Sequence, residues 1–224
     1  MDFIFMLTRG DKTVEDCVDV LDQIAPLGLR HVGFKDVGVA PRTLHILTDR
    51  IRAMGAISYM EVVSETPEAC LNSARVAREL GIDRLLGGTD VARMTDILSG
   101  TNTSYFPFPG FPSGHPTKLN GKPADVTAHC ESFTAAGCAG ADLLAYRATE
   151  ADPLDLVRAA RKGLGKGYLI VAGSIASRER IKAVAEAGAD AFTIGTAVFD
   201  GSYNPRKGSL LSQLGDVVAD TEAA

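Results

Sequence analysis

Basic residues are in the minority: 23 lysines and arginines stand against 28 aspartates and glutamates, for a net charge of −5 at pH 7. Binding a nucleic-acid backbone calls for a basic stripe, and none is visible, so no nucleic acid is expected as a partner. No apolar run approaches the ~20 residues that cross a bilayer, which excludes a spanning helix and leaves no membrane role. The opening Met1 to Leu7 is apolar, but it is short and lacks a basic start, so a secretion signal is not expected and a cytoplasmic location is. Cysteine is sparse: Cys17, Cys70, Cys130 and Cys138 show no C-x-x-C spacing, and they read as buried, reduced thiols.

What is abundant is apolar sequence, 46% of 224 residues, enough for a large core. The length is close to the roughly 250 residues typical of one eight-fold barrel and too short for two ordinary domains with a linker. Short β-rich runs alternate with helical segments, the pattern of parallel strands covered by helices. The runs are Phe3 to Thr8, His31 to Lys35, Ile57 to Val63, Arg84 to Gly87, Ser104 to Phe108, Asp142 to Arg147, Tyr168 to Ala172 and Ala191 to Ile194. Helices are expected near 13 to 27, 41 to 54, 66 to 80, 90 to 98, 125 to 136, 153 to 162 and 177 to 187, with an eighth after Pro205. The expected fold is therefore a single-domain α/β (β/α)8 TIM barrel over residues 1 to 224.

Local chemistry supports the boundaries. Thr13-x-x-Asp16, Thr66-Pro67-Glu68 and Ser177-x-Glu179 place hydroxyl caps and early acids where helix starts favour them. Gly28, Gly55, Gly81, Gly137 and Gly188 each follow a helical run, as residues that accept positive φ at a helix end. One connection breaks the rhythm. Residues 105 to 125 form a Pro/Gly-rich stretch carrying His115, Lys118 and Lys122, which reads as a lid or wall over the barrel mouth. Phe106, Phe108 and Phe111 in it are expected to be exposed and would suit a subunit contact in a homo-oligomer.

Active sites of this architecture lie at the C-terminal strand ends. Period-two alternation puts Val32 and Phe34 toward the helices and Lys35 toward the barrel axis; the same argument turns Met60 and Val62 outward and Glu61 inward. Arg147, placed on the sixth strand with the parity of Leu143 and Ala145, reaches the mouth beside them. Lys35, Glu61 and Arg147 are thus the candidate catalytic residues, since an acid and an amine in a low-dielectric mouth perturb each other's proton affinity. An ion pair between Lys35 and Glu61 that only fixes the interior is the competing reading. Arg9, Asp36, Asp90 and His115 are weaker candidates for substrate binding, and Asp11 and the other acids at strand-to-helix turns also serve as ordinary helix caps.

The most specific signal is at the end of the chain. Val171-Ala172-Gly173-Ser174 and Thr193-Ile194-Gly195-Thr196 are two consecutive strand ends, each finishing in glycine plus a hydroxyl residue. Glycine allows close backbone approach, and a following helix turns free N–H groups toward an anion. Residues 171 to 177 and 187 to 199 resemble the closing quarter of the ribulose-phosphate-binding barrels. That resemblance implies a phosphorylated, sugar-like ligand of carbohydrate metabolism, with its phosphate at Gly173, Ser174, Gly195 and Thr196. The chain departs from the family where many relatives have a second glycine, at Ser174, and it lacks the strand histidines of metal-dependent pentose-phosphate epimerases. No metal and no cofactor are expected.

Three functions fit these residues. In the first, an isomerase or epimerase, Glu61 moves a proton next to a carbonyl and Lys35 stabilises the enolate. In the second, a lyase or aldolase, Lys35 forms a Schiff base. The third is a phosphometabolite-binding barrel without turnover.

Overall fold

The computed structural model describes residues 1–224. Eight parallel strands form the barrel: β1 (Asp2–Met6), β2 (His31–Lys35), β3 (Ile57–Val62), β4 (Arg84–Gly87), β5 (Ser104–Phe106), β6 (Gly140–Leu143), β7 (Tyr168–Val171) and β8 (Ala191–Ile194). Each pairs with its sequence neighbour except β5 with β6, and β1 pairs with β8. The remaining seam, β5 to β6, is closed by Ala139 N donating to Tyr105 O and Asp142 N donating to Pro107 O.

Alternation sorts the side chains into two layers. Val32, Phe34, Met60, Val62, Leu143 and Phe192 join the large core between sheet and helices, while Ile4, Met6, Tyr59, Leu86, Phe106 and Ile170 fill the barrel interior. Burying such a side chain contributes about 1.5–3 kcal/mol, so a one-residue slip that exchanged the layers would forfeit most of the core. At the N-terminal end the interior is plugged by polar groups in mutual contact. Arg84 donates to Tyr59 Oη at 2.7 Å and stacks on the Tyr168 ring at 4.8 Å, and Tyr168 Oη bonds Asp2. The interior is therefore open only at the opposite end.

The helices are α1 (Cys17–Ile24), α2 (Pro41–Ala53), α3 (Pro67–Leu80), α4 (Val91–Leu98), α5 (Pro123–Ala135), α6 (Pro153–Leu164), α7 (Arg178–Glu186) and α8 (Leu210–Glu222), with a single turn, Thr196–Phe199, between β8 and α8. Thr66 and Ser177 cap α3 and α7 as expected, and α8 follows Pro205. None of these helices is long and apolar enough to cross a membrane.

Four expectations are corrected. The first helix starts at Cys17, not near residue 13, because Thr8–Arg9 and Lys12–Thr13 pair as a small antiparallel ribbon; Thr13 caps nothing and instead bonds the backbone of Lys35. The fifth strand ends at Phe106, before Pro107. The sixth runs from Gly140 to Leu143, so Arg147 stands in a 3-10 turn, Ala145–Arg147, rather than on a strand. Of the three phenylalanines expected to be exposed, Phe106 and Phe108 are buried and only Phe111 faces solvent.

Candidate functional site

The ribbon after β1 turns through Gly10 and Asp11, both at positive φ (56° and 63°), as a two-residue hairpin requires. That turn drives the Asp11 carboxylate into the barrel mouth, where it is 3% exposed. Four donors converge on it. Lys35 Nζ lies 2.7 Å from Oδ1, Arg147 Nη2 lies 2.8 Å from the same atom, Arg147 Nη1 donates to Oδ2, and Thr117 N donates to Oδ2 at 2.9 Å. Burial raises the Asp11 pKa, but the Arg147 hydrogen bonds and the charges of Lys35 and Arg147 outweigh it, so the carboxyl is held well below the usual range.

Lys35 and Glu61 are partners across the β2–β3 register, and Nζ lies 3.2 Å from Glu61 Oε2. The ammonium is therefore clamped between two carboxylates, with the Thr13 hydroxyl bonding its backbone N–H and C=O at 2.9 and 2.8 Å.

Lys35, Glu61 and Asp11 line a cavity of about 690 Å³ together with Tyr146, Arg147, Gly173, Ser174, Gly195 and Thr196. Gly173 (φ 77°) leaves the room that Arg147 occupies: a Cβ there would overlap the guanidinium. Gly195 has a different reason to be glycine, since a Cβ would meet Thr8 Oγ1 at 2.5 Å. Ser174 takes φ 59°, the conformation glycine accepts readily, and Arg180 holds it there by donating to its carbonyl while stacking on Tyr146 at 4.5 Å. The first N–H groups of the Thr196–Phe199 turn have no acceptor within it.

The long connection carries a second ribbon, Phe111–Ser113 with Lys118–Asn120. It is tied to the barrel by Thr149 N bonding Leu119 O and by Thr117, whose N–H and C=O meet Asp11 and Arg147. The stretch is thus a wall across the mouth. Thr117 borders the first cavity on one side and, on the other, a second of about 780 Å³ lined by Ser64, Glu65, Cys70, Gly88 and Asp90.

Lys35, Glu61 and Arg147 are brought together as candidates, and so are Gly173, Ser174, Gly195 and Thr196. The weaker candidates are dispersed. Asp36 spends its carboxylate on Val63 N, Ser64 Oγ and Ser73 Oγ, fastening β3 and α3. Asp90 caps α4 through Arg93 N and pairs with Arg93. Arg9 and His115 are exposed and border neither cavity. Two residues were undervalued or missed. Asp11 reads in the sequence as one more acid at a strand-to-helix turn, although Gly10-Asp11 after a strand is a hairpin signal. Asp142, an acid inside the apolar run Ala141 to Ala145, received no role, yet it is fully buried on the inward face of β6.

No family model and no curated protein sequence matches the chain. Solved structures do. The chain is similar over 98% of its length to orotidine 5'-phosphate decarboxylase from Pyrococcus horikoshii OT3, covering 99% of that chain at 14% identity and a TM-score of 0.63. It is similar over 100% to (S)-3-O-geranylgeranylglyceryl phosphate synthase from Thermoplasma acidophilum, solved with sn-glycerol-1-phosphate, covering 94% at 13% identity and a TM-score of 0.63. It is similar over 92% to a putative deoxyribose-phosphate aldolase from Coccidioides immitis, covering 84% at 10% identity and a TM-score of 0.65. At these identities the likeness establishes the fold alone, a (β/α)8 barrel.

Proposed function

We propose that this chain is an enzyme of a small phosphorylated, sugar-like metabolite and that it moves a proton at a carbon next to a carbonyl, as an isomerase or epimerase does. The observation that carries this reading is the position of Lys35, a buried ammonium clamped by Asp11 and Glu61 in the cavity that Arg147 and the strand ends Gly173-Ser174 and Gly195-Thr196 also line. The phosphate would sit at Gly173, Ser174, Gly195 and Thr196, anchoring the ligand. Its carbon end then lies toward Lys35 and Glu61. Glu61 takes the proton, and the fixed charge of Lys35 stabilises the oxygen on which negative charge develops. Arg147 reaches both ends, holding Asp11 while bordering the phosphate wall. Lys118, which borders the same cavity and has no acidic partner, adds a cation on the phosphate side. That all three similar structures named above are of proteins whose names contain a phosphate ester agrees with this ligand class.

The clamp also separates this reading from its main competitor. Schiff-base formation needs an amine free to approach a carbonyl, and Lys35 Nζ is held between two carboxylates at 2.7 and 3.2 Å. The test is solvent deuterium exchange into bound sugar phosphates followed by NMR: exchange in the wild type that is lost in Glu61→Gln supports the reading. Exchange that survives Glu61→Gln removes Glu61 as the base, and borohydride trapping of a carbonyl substrate on Lys35 would replace proton transfer by the lyase reading.

A further inference from the structure

Asp142 is an acid that the scheme above leaves unused. It stands on β6 between Ala141 and Leu143, which pack in the outer core, so its own side chain points to the barrel interior. It is 0% exposed, and neither carboxyl oxygen has a hydrogen-bond partner. An ionised carboxylate in such a place is prohibitively costly unless something pairs with it.

Charged groups of the candidate site enter the same barrel interior: Lys35 and Glu61, in contact at the inward ends of β2 and β3, and Arg147 from the turn that follows Asp142's own strand. Asp11 is bonded to Lys35 and Arg147. Two cations and two anions cancel, and a third anion would leave net negative charge in a space with little water. Burial first, and then repulsion by Glu61, push the Asp142 carboxyl well above the usual range, against the smaller pull of Lys35 and Arg147.

We propose that Asp142 is a positioning residue acting through Glu61: it is the neutral member of a two-carboxyl pair, held so that the charge left uncompensated by Asp11 stands on Glu61 at the cavity. The inference rests on the reading of Glu61 as the proton acceptor. Removing the charge of Glu61 frees Asp142 to release its proton to solvent and become the second anion. Removing the charge of Lys35 has the opposite sign, and the cluster takes up a proton.

Infrared spectroscopy of the unliganded protein, labelled with ¹³C at the aspartate carboxyl, tests this directly. The wild type is expected to show at neutral pH a protonated-carboxyl band that shifts with the label and is missing in Asp142→Asn. In Glu61→Gln, with circular dichroism confirming the fold, the titration midpoint of that band should fall by about one pH unit or more, a tenfold or greater rise in acidity. In Lys35→Met it should rise, or a second protonated carboxyl should appear. A midpoint that does not move in either variant shows that burial alone keeps Asp142 neutral and overturns the pairing, as does a wild type with no such band. No arm uses a substrate. A lost deuterium-exchange result beside an intact pairing would therefore fault the proton-transfer reading, and the reverse would fault only the pairing.

Discussion

Gly173 and Arg147 occupy one space: the missing side chain of the first is where the guanidinium of the second lies, between Asp11 and the wall built by the ends of β7 and β8. Gly173→Ala should therefore act twice, by straining a backbone at φ 77° and by pushing Arg147 off Asp11. The expected cost is about 1–3 kcal/mol of stability, measured by urea unfolding, together with weaker phosphate-ester binding. Unchanged binding would detach Arg147 from the ligand site.

Asp11→Asn should be among the most destabilising single changes in the mouth, about 3–5 kcal/mol at pH 7, because it leaves Lys35 and Arg147 short of a buried partner. Asp11 has a depressed folded-state pKa, so its contribution is present above the ordinary aspartate value of 3.8 and is lost only as pH falls through a still lower folded value. Wild-type and variant melting curves measured from pH 7 down should converge only in strong acid.

Asp142→Asn should do the reverse. The folded-state pKa of Asp142 is raised, so its contribution is fully present below 3.8 and is lost as pH rises toward the folded value. At pH 7 the wild type carries a penalty that the variant lacks. The variant is expected to gain about 1–3 kcal/mol, growing between pH 4 and 7, readable as a pH-dependent difference in Tm. A difference that is flat with pH would mean that Asp142 ionises normally.

Ser174 permits a separation of backbone from charge. Ser174→Gly relieves a left-handed serine and should raise stability by up to about 1 kcal/mol while keeping affinity for a phosphate ester. Ser174→Asp keeps the fold and should abolish that affinity by repulsion. Isothermal titration of both variants with one phosphorylated ligand checks the pair of outcomes.

The inward and outward faces of β2 and β3 were legible because period-two alternation is strict where one face is packed: Val32, Phe34, Met60 and Val62 take the outer layer and Lys35 and Glu61 the inner one. The glycine-hydroxyl strand ends were legible because Gly173 takes a positive φ in its own turn and Gly195 packs against the end of the adjacent β1. What escaped depends on distance along the chain. Asp11 meets Arg147 across 136 residues and Thr117 across 106, and no local pattern reports such a meeting. Arg147 reaches the mouth through the 3-10 turn after Leu144 and not by strand parity, since Leu143 and Ala145, whose parity the strand argument used, pack in the outer core. Asp142 went unnoticed because a lone acid in an apolar strand reads equally as an outward, solvated residue.

The most direct test of the account is thermal stabilisation of the wild type and Ser174→Asp by a panel of sugar phosphates, each beside its unphosphorylated analogue. The account predicts that at least one phosphorylated compound raises the Tm of the wild type, that its analogue does not, and that Ser174→Asp loses the effect. Equal stabilisation by ester and analogue, or stabilisation that persists in Ser174→Asp, would contradict the placement of a phosphate at the ends of β7 and β8.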